Sequence, residues 1–314
     1  MEGRPVLIDA YEIKPLARIR PRHIIELMAQ VGGVYRLADN DLTAALARLV
    51  GQGQIAPLMG RIRQRSAAVH ARRVGRWIRR ALCEGSFSRQ ERVGAATALV
   101  NRRHAIDVRA LMERVAHSDT PELLVGAEHY ALHPFPRAGR LSEPHALQAW
   151  KGLLTLFFNE VACDEPVAAI VYRDRSSALI TTGTQDLSDL GAWLRQVFMG
   201  MEYSQKRRCA AALGRTIGDL HARNIRHAEL SCASLKVGQD PLRFIFLPSA
   251  GVRQRRDLSP AEKNADLARL ALSLPIAVTR TLKLAFIKAY ADAAGEDLRR
   301  AAAQACASPA SGRR

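Results

Sequence analysis

Between residues 120 and 294 the spacing of apolar residues switches from strand-like to helical, and this order limits the possible folds more than any other feature. Four short segments have strand character: 122–125, 128–133, 167–172 and 178–182. One helical stretch, 146–158, lies between the second and third. After Gly183 the helical period takes over at 187–199 and 206–221, where Cys209, Leu213, Ile217 and Leu220 share one stripe. Two short extended pieces follow, 234–237 and 243–247, and then helical stretches at 261–274, 279–294 and 296–305. The expected architecture is α+β: a small antiparallel sheet with one helix, a hinge, and a mostly helical lobe. No internal repeat is visible, and SPASGRR at the end reads as frayed.

The first third differs. Residues 1–117 hold 21 basic and 10 acidic side chains, so most of the net charge of +17 lies there. Ile24, Ile25, Leu27 and Met28 recur at helical spacing, and Leu42, Leu46 and Leu49 follow Asp41, a good N-cap. Residues 61–82 place Val69, Val74, Trp77, Ile78 and Leu82 on one stripe, with eight arginines over much of the rest. The region is expected to be all-helical, with its Arg61–Arg80 segment either a solvated face or a peripheral contact to anionic lipid head groups. The expected division is 1–117 as a basic helical region, 118–186 as a small lobe and 187–314 as a helical lobe.

Several function classes drop out. The five cysteines (Cys83, Cys163, Cys209, Cys232, Cys306) are odd in number and form no C-x-x-C, which argues against a disulfide framework or zinc ribbon and suits a reducing cytoplasm. No apolar run approaches the ~20 residues of a membrane span, and the N-terminus lacks signal-peptide character. Glycines occur in neither a P-loop nor a dinucleotide fingerprint. No histidine or cysteine spacing suggests a metal site. A nucleic-acid role rests on charge alone and is the least favoured.

The informative stretch is 213–256. A helix ends at His221–Ala222, and Asn224 is the residue there best able to adopt a left-handed backbone. Ile225 can plug the core, and His227-Ala228-Glu229-Leu230 follows, with Ser234 five residues after Glu229. This segment resembles the bacterial lipopolysaccharide-core kinases that phosphorylate Kdo or heptose. Leu220-His221 matches the end of the family's helix, Ile225 the plug and His227 the first position of the catalytic loop. Ile245 and Ala250 match the flanks of the following strand's end, and Asp266-Leu267-Ala268-Arg269-Leu270 a later helical element. The resemblance covers roughly 120–290 and implies a protein-kinase-like two-lobe fold, ATP and Mg²⁺ as cofactors, and an anionic glycolipid or core sugar as substrate.

Carried over residue by residue, the resemblance reveals replacements. Glu229 stands at the loop aspartate, Ser234 at the metal-binding asparagine and Phe246 at the metal-binding aspartate. His133 is the nearest candidate for the small-lobe lysine. Ala149 stands where the helix glutamate belongs, with Gln148 beside it, and no glycine-rich loop is visible near Gly126. Phosphoryl transfer is mainly positioning and charge stabilisation, so these losses bear on activity directly. The favoured reading is a pseudokinase with a binding or scaffold role in lipopolysaccharide core assembly, cytoplasmic or peripheral at the inner membrane, and with an envelope-assembly protein as a possible partner. In it Glu229 caps the loop and pairs with a nearby arginine, His227 keeps an architectural role, Cys232 is a packing residue, and Arg253, Arg255 and Arg256 meet the acidic substrate. The alternative is an active kinase with Glu229 as base and Asp240 or Asp257 completing a metal site.

Overall fold

The computed structural model describes residues 25–30, 43–44, 52–117, 122–125, 128–183, 187–239 and 242–296. The chain divides into two compact units, Met1–Arg73 and Val74–Arg314. In the first, residues 25–30 are helical with Ile25, Met28 and Ala29 buried, and Arg65 lies 4.0 Å from Glu26. Most of the helix expected after Asp41, and the one expected at 296–305, fall outside the described residues.

Helix α1 (Gln52–Ala81) runs across the unit boundary and bears the arginine-rich segment. Ile62, Val74 and Ala81 are buried, while Arg61, Arg65, Arg72, Arg76, Arg79 and Arg80 are exposed. The division into apolar and basic faces is as the spacing predicts.

The second unit departs from expectation at its start. Residues 88–101, expected to be helical, form a hairpin: β1 (Ser88–Val93) and β2 (Ala96–Asn101), with Val93 opposite Ala96. Gly94 makes the two-residue turn at a φ of 59°, a left-handed value that favours glycine. In β2 every residue but Thr97 is buried, so no polar alternation marks it as a strand, and Ala-Thr-Ala-Leu-Val reads equally well as helix. After α2 (Val108–His117) come β3 (Glu122–Val125), β4 (Glu128–Phe135), α3 (His145–Phe158), β5 (Pro166–Val171) and β6 (Ser177–Thr182). The strands form one antiparallel sheet in the order β1-β2-β5-β6-β4-β3.

Both faces of this sheet are covered. Val108 and Leu111 of α2 share an apolar cluster with Ala98, Val100, Ile170 and Ile180. Ala149, Trp150, Leu153 and Leu154 of α3 share the other cluster with Leu99, Ala169 and Leu179. That second cluster continues into the helical part, so one core joins the two lobes.

The helical part contains β7 (Ser188–Asp189), α4 (Leu190–Gln196), α5 (Tyr203–Ala222), β8 (Ile225–His227), β9 (Leu235–Gln239), β10 (Leu242–Phe246), β11 (Val252–Gln254), α6 (Pro260–Ser273) and α7 (Arg280–Ala294). The helix expected at 187–199 is shorter because Asp189 caps α4 by accepting from the Ala192 N–H at 3.0 Å. Cys209, Ile217 and Leu220 of α5 are buried together with Leu282, Tyr290 and Ala291 of α7. Two small antiparallel pairings, β9 with β10 and β8 with β11, then place the loops that carry the candidate site.

Candidate functional site

The site begins where α5 ends. Asn224 has a φ of 55°, the left-handed exit its residue type predicts, and its side chain accepts from the Leu258 N–H at 3.2 Å. β8 then runs antiparallel to β11, with His227 opposite Val252. The Ala228 N–H donates to the Gly251 carbonyl at 3.0 Å, and the Leu247 N–H to the Ser234 carbonyl at 2.9 Å. These bonds hold the loop after β8 against the loop after β10.

Glu229 is exposed on that first loop, and the Ser249 hydroxyl donates to its carboxylate at 2.5 Å. The expectation of an arginine partner is thus corrected: a serine from the facing loop holds Glu229. Ser249 also accepts from the Gly251 N–H at 2.9 Å, which fixes its rotamer. Ser234 is inward-facing, but its hydroxyl donates to the Ser231 carbonyl at 2.8 Å and accepts from the Ser231 N–H at 2.9 Å, closing a 3₁₀ turn.

Phe246 is fully buried, and its ring centroid lies 5.6 Å from that of His227. Its backbone N–H donates to the Ala162 carbonyl at 3.0 Å. The His227 imidazole is likewise buried and neither ring nitrogen has a hydrogen-bond partner. Desolvation lowers its pKa to about 4, with the charge of Asp266 opposing, so the ring is neutral at pH 7.

What anchors the loop from below is Asp266 of α6, a residue the sequence reading placed in a helical element without assigning it work. Its side chain is wholly buried and accepts from the His227 backbone N–H at 2.8 Å. Arg269 lies 3.4 Å away, His221 3.6 Å and Arg226 4.0 Å. His221 meets the Tyr290 hydroxyl at 2.9 Å, tying α5 to α7 beneath the loop. The available signal was an acid four positions before Leu270, on the buried side of α6.

His133 lies on β4, where its Nε2 is 3.2 Å from the Thr181 hydroxyl, which in turn is 3.4 Å from the buried Asp164. Burial, and then the positive charge of Lys236 on β9, lower the His133 pKa to about 4. The positive charge acting on this position is thus Lys236 of β9, which the sequence reading missed. On α3, Ala149 is buried and Gln148 donates to the Glu143 carbonyl at 2.9 Å, so neither provides a carboxylate partner.

Of the three candidate substrate arginines, Arg255 is committed to Glu262 at 3.0 Å, a carboxylate that also lies 3.4 Å from Arg226. Arg253 is exposed, with its guanidinium donating to the Val252 carbonyl at 3.3 Å, and Arg256 is exposed on the following turn. The structure therefore leaves Arg253 and Arg256 open to an acidic ligand.

The residues present do not fit a divalent metal. At the position the resemblance assigns to a metal-binding carboxylate stands a ring without oxygen, and the Ser234 hydroxyl is held in its own turn, donating to the Ser231 carbonyl and accepting from the Ser231 N–H. Among the described residues no three His, Cys, Asp or Glu side chains converge on a metal position. Asp257 joins no such group, and Asp240 lies outside the described residues. Cys232 is buried in the core with a thiol pKa raised mainly by burial, as suits a packing residue, and Cys163 is pushed up to about 12 by burial with Asp164 and Glu165.

The model of the lipopolysaccharide kinase (Kdo/WaaP) family matches residues 127–290. Among curated proteins, none matches the chain. A solved structure, WaaP in complex with acyl carrier protein, is similar at 19% identity and a TM-score of 0.46, over 71% of this chain and 83% of that one.

Proposed function

The chain belongs to the lipopolysaccharide kinase (Kdo/WaaP) family, and we propose that it serves lipopolysaccharide core biogenesis as a binding or scaffold member that transfers no phosphate. The observation that carries this reading is Phe246. An aromatic ring packed on a neutral, buried His227 stands where the resemblance puts a metal-binding carboxylate, and the Ser234 hydroxyl is turned to the backbone of Ser231. Without a cation to neutralise the developing charge, phosphoryl transfer loses the stabilisation it mainly depends on. The ligand is a lipopolysaccharide core or another anionic glycolipid, met by the exposed Arg253 and Arg256, whose guanidinium groups suit a phosphate. The same reading puts the protein at the cytoplasmic face of the inner membrane beside an envelope-assembly protein. Among the described residues no helix is long and apolar enough to cross a membrane.

One observation favours an active kinase: Glu229 keeps an exposed carboxylate where a base would stand. Thermal unfolding with ATP, with and without Mg²⁺ or Mn²⁺, together with a phosphate-transfer assay on core sugar, separates the two. The expected result is no metal-dependent shift and no transfer. A shift that requires the metal, accompanied by transfer that Glu229→Gln abolishes, overturns the pseudokinase reading.

A further inference from the structure

The end of the sheet away from the catalytic-loop remnant carries a second surface. Strand register aligns Arg92, Thr97, Val171, Ser177 and Phe135 in one row across five strands. Strands lie about 4.8 Å apart, so the row spans roughly 19 Å. Just beyond it project the β1–β2 turn, the β5–β6 turn (172–176) and the loop from β4 to α3 (136–144).

These projections are basic and pinned together. Arg92, Arg137, Arg140 and Arg173 are exposed, and Arg175 is half-buried. The Ala138 N–H donates to the Arg175 carbonyl at 3.1 Å, and the Arg175 guanidinium donates to the Ser142 carbonyl. The nearby acids are engaged: Glu91 with Arg89 at 2.6 Å, Glu143 with Lys151 at 2.5 Å, and Asp174 with the Ser176 hydroxyl at 2.7 Å. Two hydrogen bonds from Ser176, and then the Arg137 guanidinium, hold the Asp174 carboxyl below its ordinary range, which shows the two loops facing one another. At the tip stands Leu141, 104% exposed, the most exposed of the large apolar side chains among the described residues.

We propose that this rim docks on an anionic phospholipid bilayer, with the arginines among the phosphates and Leu141 inserted between head groups. Charge complementarity selects a polyanion, and a leucine held out on a pinned loop selects one with an apolar layer beneath its charge. Nucleic acid fits less well, because stacking needs exposed rings and the aromatic residues here, Phe135 and Tyr172, are half-buried. The inference does not depend on whether the cleft transfers phosphate, so the nucleotide experiments and the one below fail separately.

The test is co-sedimentation of the full chain with vesicles of phosphatidylcholine alone, or with about one third phosphatidylglycerol, at rising salt. Binding is expected on the anionic vesicles only, weakening as salt screens the arginines. Arg137→Ser and Arg140→Ser are each expected to weaken binding about fivefold, and Leu141→Ser about tenfold. Arg207→Ser, an exposed charge on α5, controls for net charge and is expected to leave binding unchanged. An environment-sensitive dye on Leu141→Cys is expected to shift to the blue on anionic vesicles. All variants change exposed side chains, and an unaltered melting temperature certifies their fold. The proposal is overturned if the rim variants bind like the parent, if the α5 control loses as much as they do, or if Leu141-dependent binding occurs with duplex DNA or an acidic protein but not with vesicles.

Discussion

Gly152→Ala puts a single methyl group where α3 crosses the loop after β10. A Cβ at Gly152 would stand 2.2 Å from the Ser249 carbonyl oxygen and 3.3 Å from the Val252 Cβ, against an ordinary contact of 3.4 Å or more. The obstruction is backbone, and no rotamer change relieves it. Nor is that backbone free to move: Ser249 donates to Glu229 at 2.5 Å and accepts from Gly251 at 2.9 Å, and Val252 is paired with His227. A separation of more than 1 Å must therefore open between α3 and the loop. Overpacking of this kind costs about 1–3 kcal/mol, and a rigid obstruction puts Gly152→Ala at the upper end. Alanine returns about 1 kcal/mol through its helix propensity. The net effect is a loss of about 2 kcal/mol, or roughly 4–8 °C in melting temperature for a unit of this size. Gly75→Ala in α1 is the internal control, since nothing lies within 4 Å of its Cβ position and only the propensity gain applies. Parallel thermal and urea unfolding of the two variants measures both signs. If Gly152→Ala melts at or above the parent, the contact between α3 and the Ser249 loop is looser than described, and Glu229 is not held by it.

The remaining predictions concern buried polar groups. Asp266→Ala leaves the His227 N–H unpaired and removes the acid facing Arg226 and Arg269, so a loss of about 3–5 kcal/mol is expected in urea unfolding, with Asp266→Asn milder. His133 and His227, both lowered from an ordinary 6.5 to about 4, are proton-poor in the folded state. Between pH 6.5 and 4 the unfolded chain binds protons that the folded chain refuses, so stability is full above 6.5 and falls as pH drops through that window, by on the order of 3 kcal/mol per histidine. Melting temperature against pH reads this directly, and an unchanged value from pH 7 to 4.5 would refute it. Lys236→Leu removes a like charge and is expected to move the His133 titration upward in NMR, though not to 6.5, since burial is the larger cause. Tyr290→Phe leaves His221 without its hydroxyl partner and is expected to cost about 1–2 kcal/mol in unfolding free energy.

Local chemistry was readable where one residue type decides the backbone. Asn224 at a left-handed helix exit and the apolar stripe of α5 are both written in short-range pattern. Identity alone likewise says whether the side chain at 229, 234 or 246 can offer an oxygen. β2 was not readable: its alanines, leucine and valine are buried on both faces of the sheet, and burial on both faces erases the alternation that separates strand from helix.

What the sequence determined by itself was the order of the main elements from residue 122 onward, the family, and the absence of a carboxylate at residue 246. What only the tertiary structure decided was where the remaining charges go. Glu229 meets Ser249, Asp266 holds His227 from below, Lys236 approaches His133, and the arginines of separate turns collect at one end of the sheet. These pairs lie 20, 39 and 103 positions apart along the chain, joined by strand pairing and helix packing. Periodicity tells which face of a helix or strand is buried. Which distant group waits on the other side follows only once the core has closed.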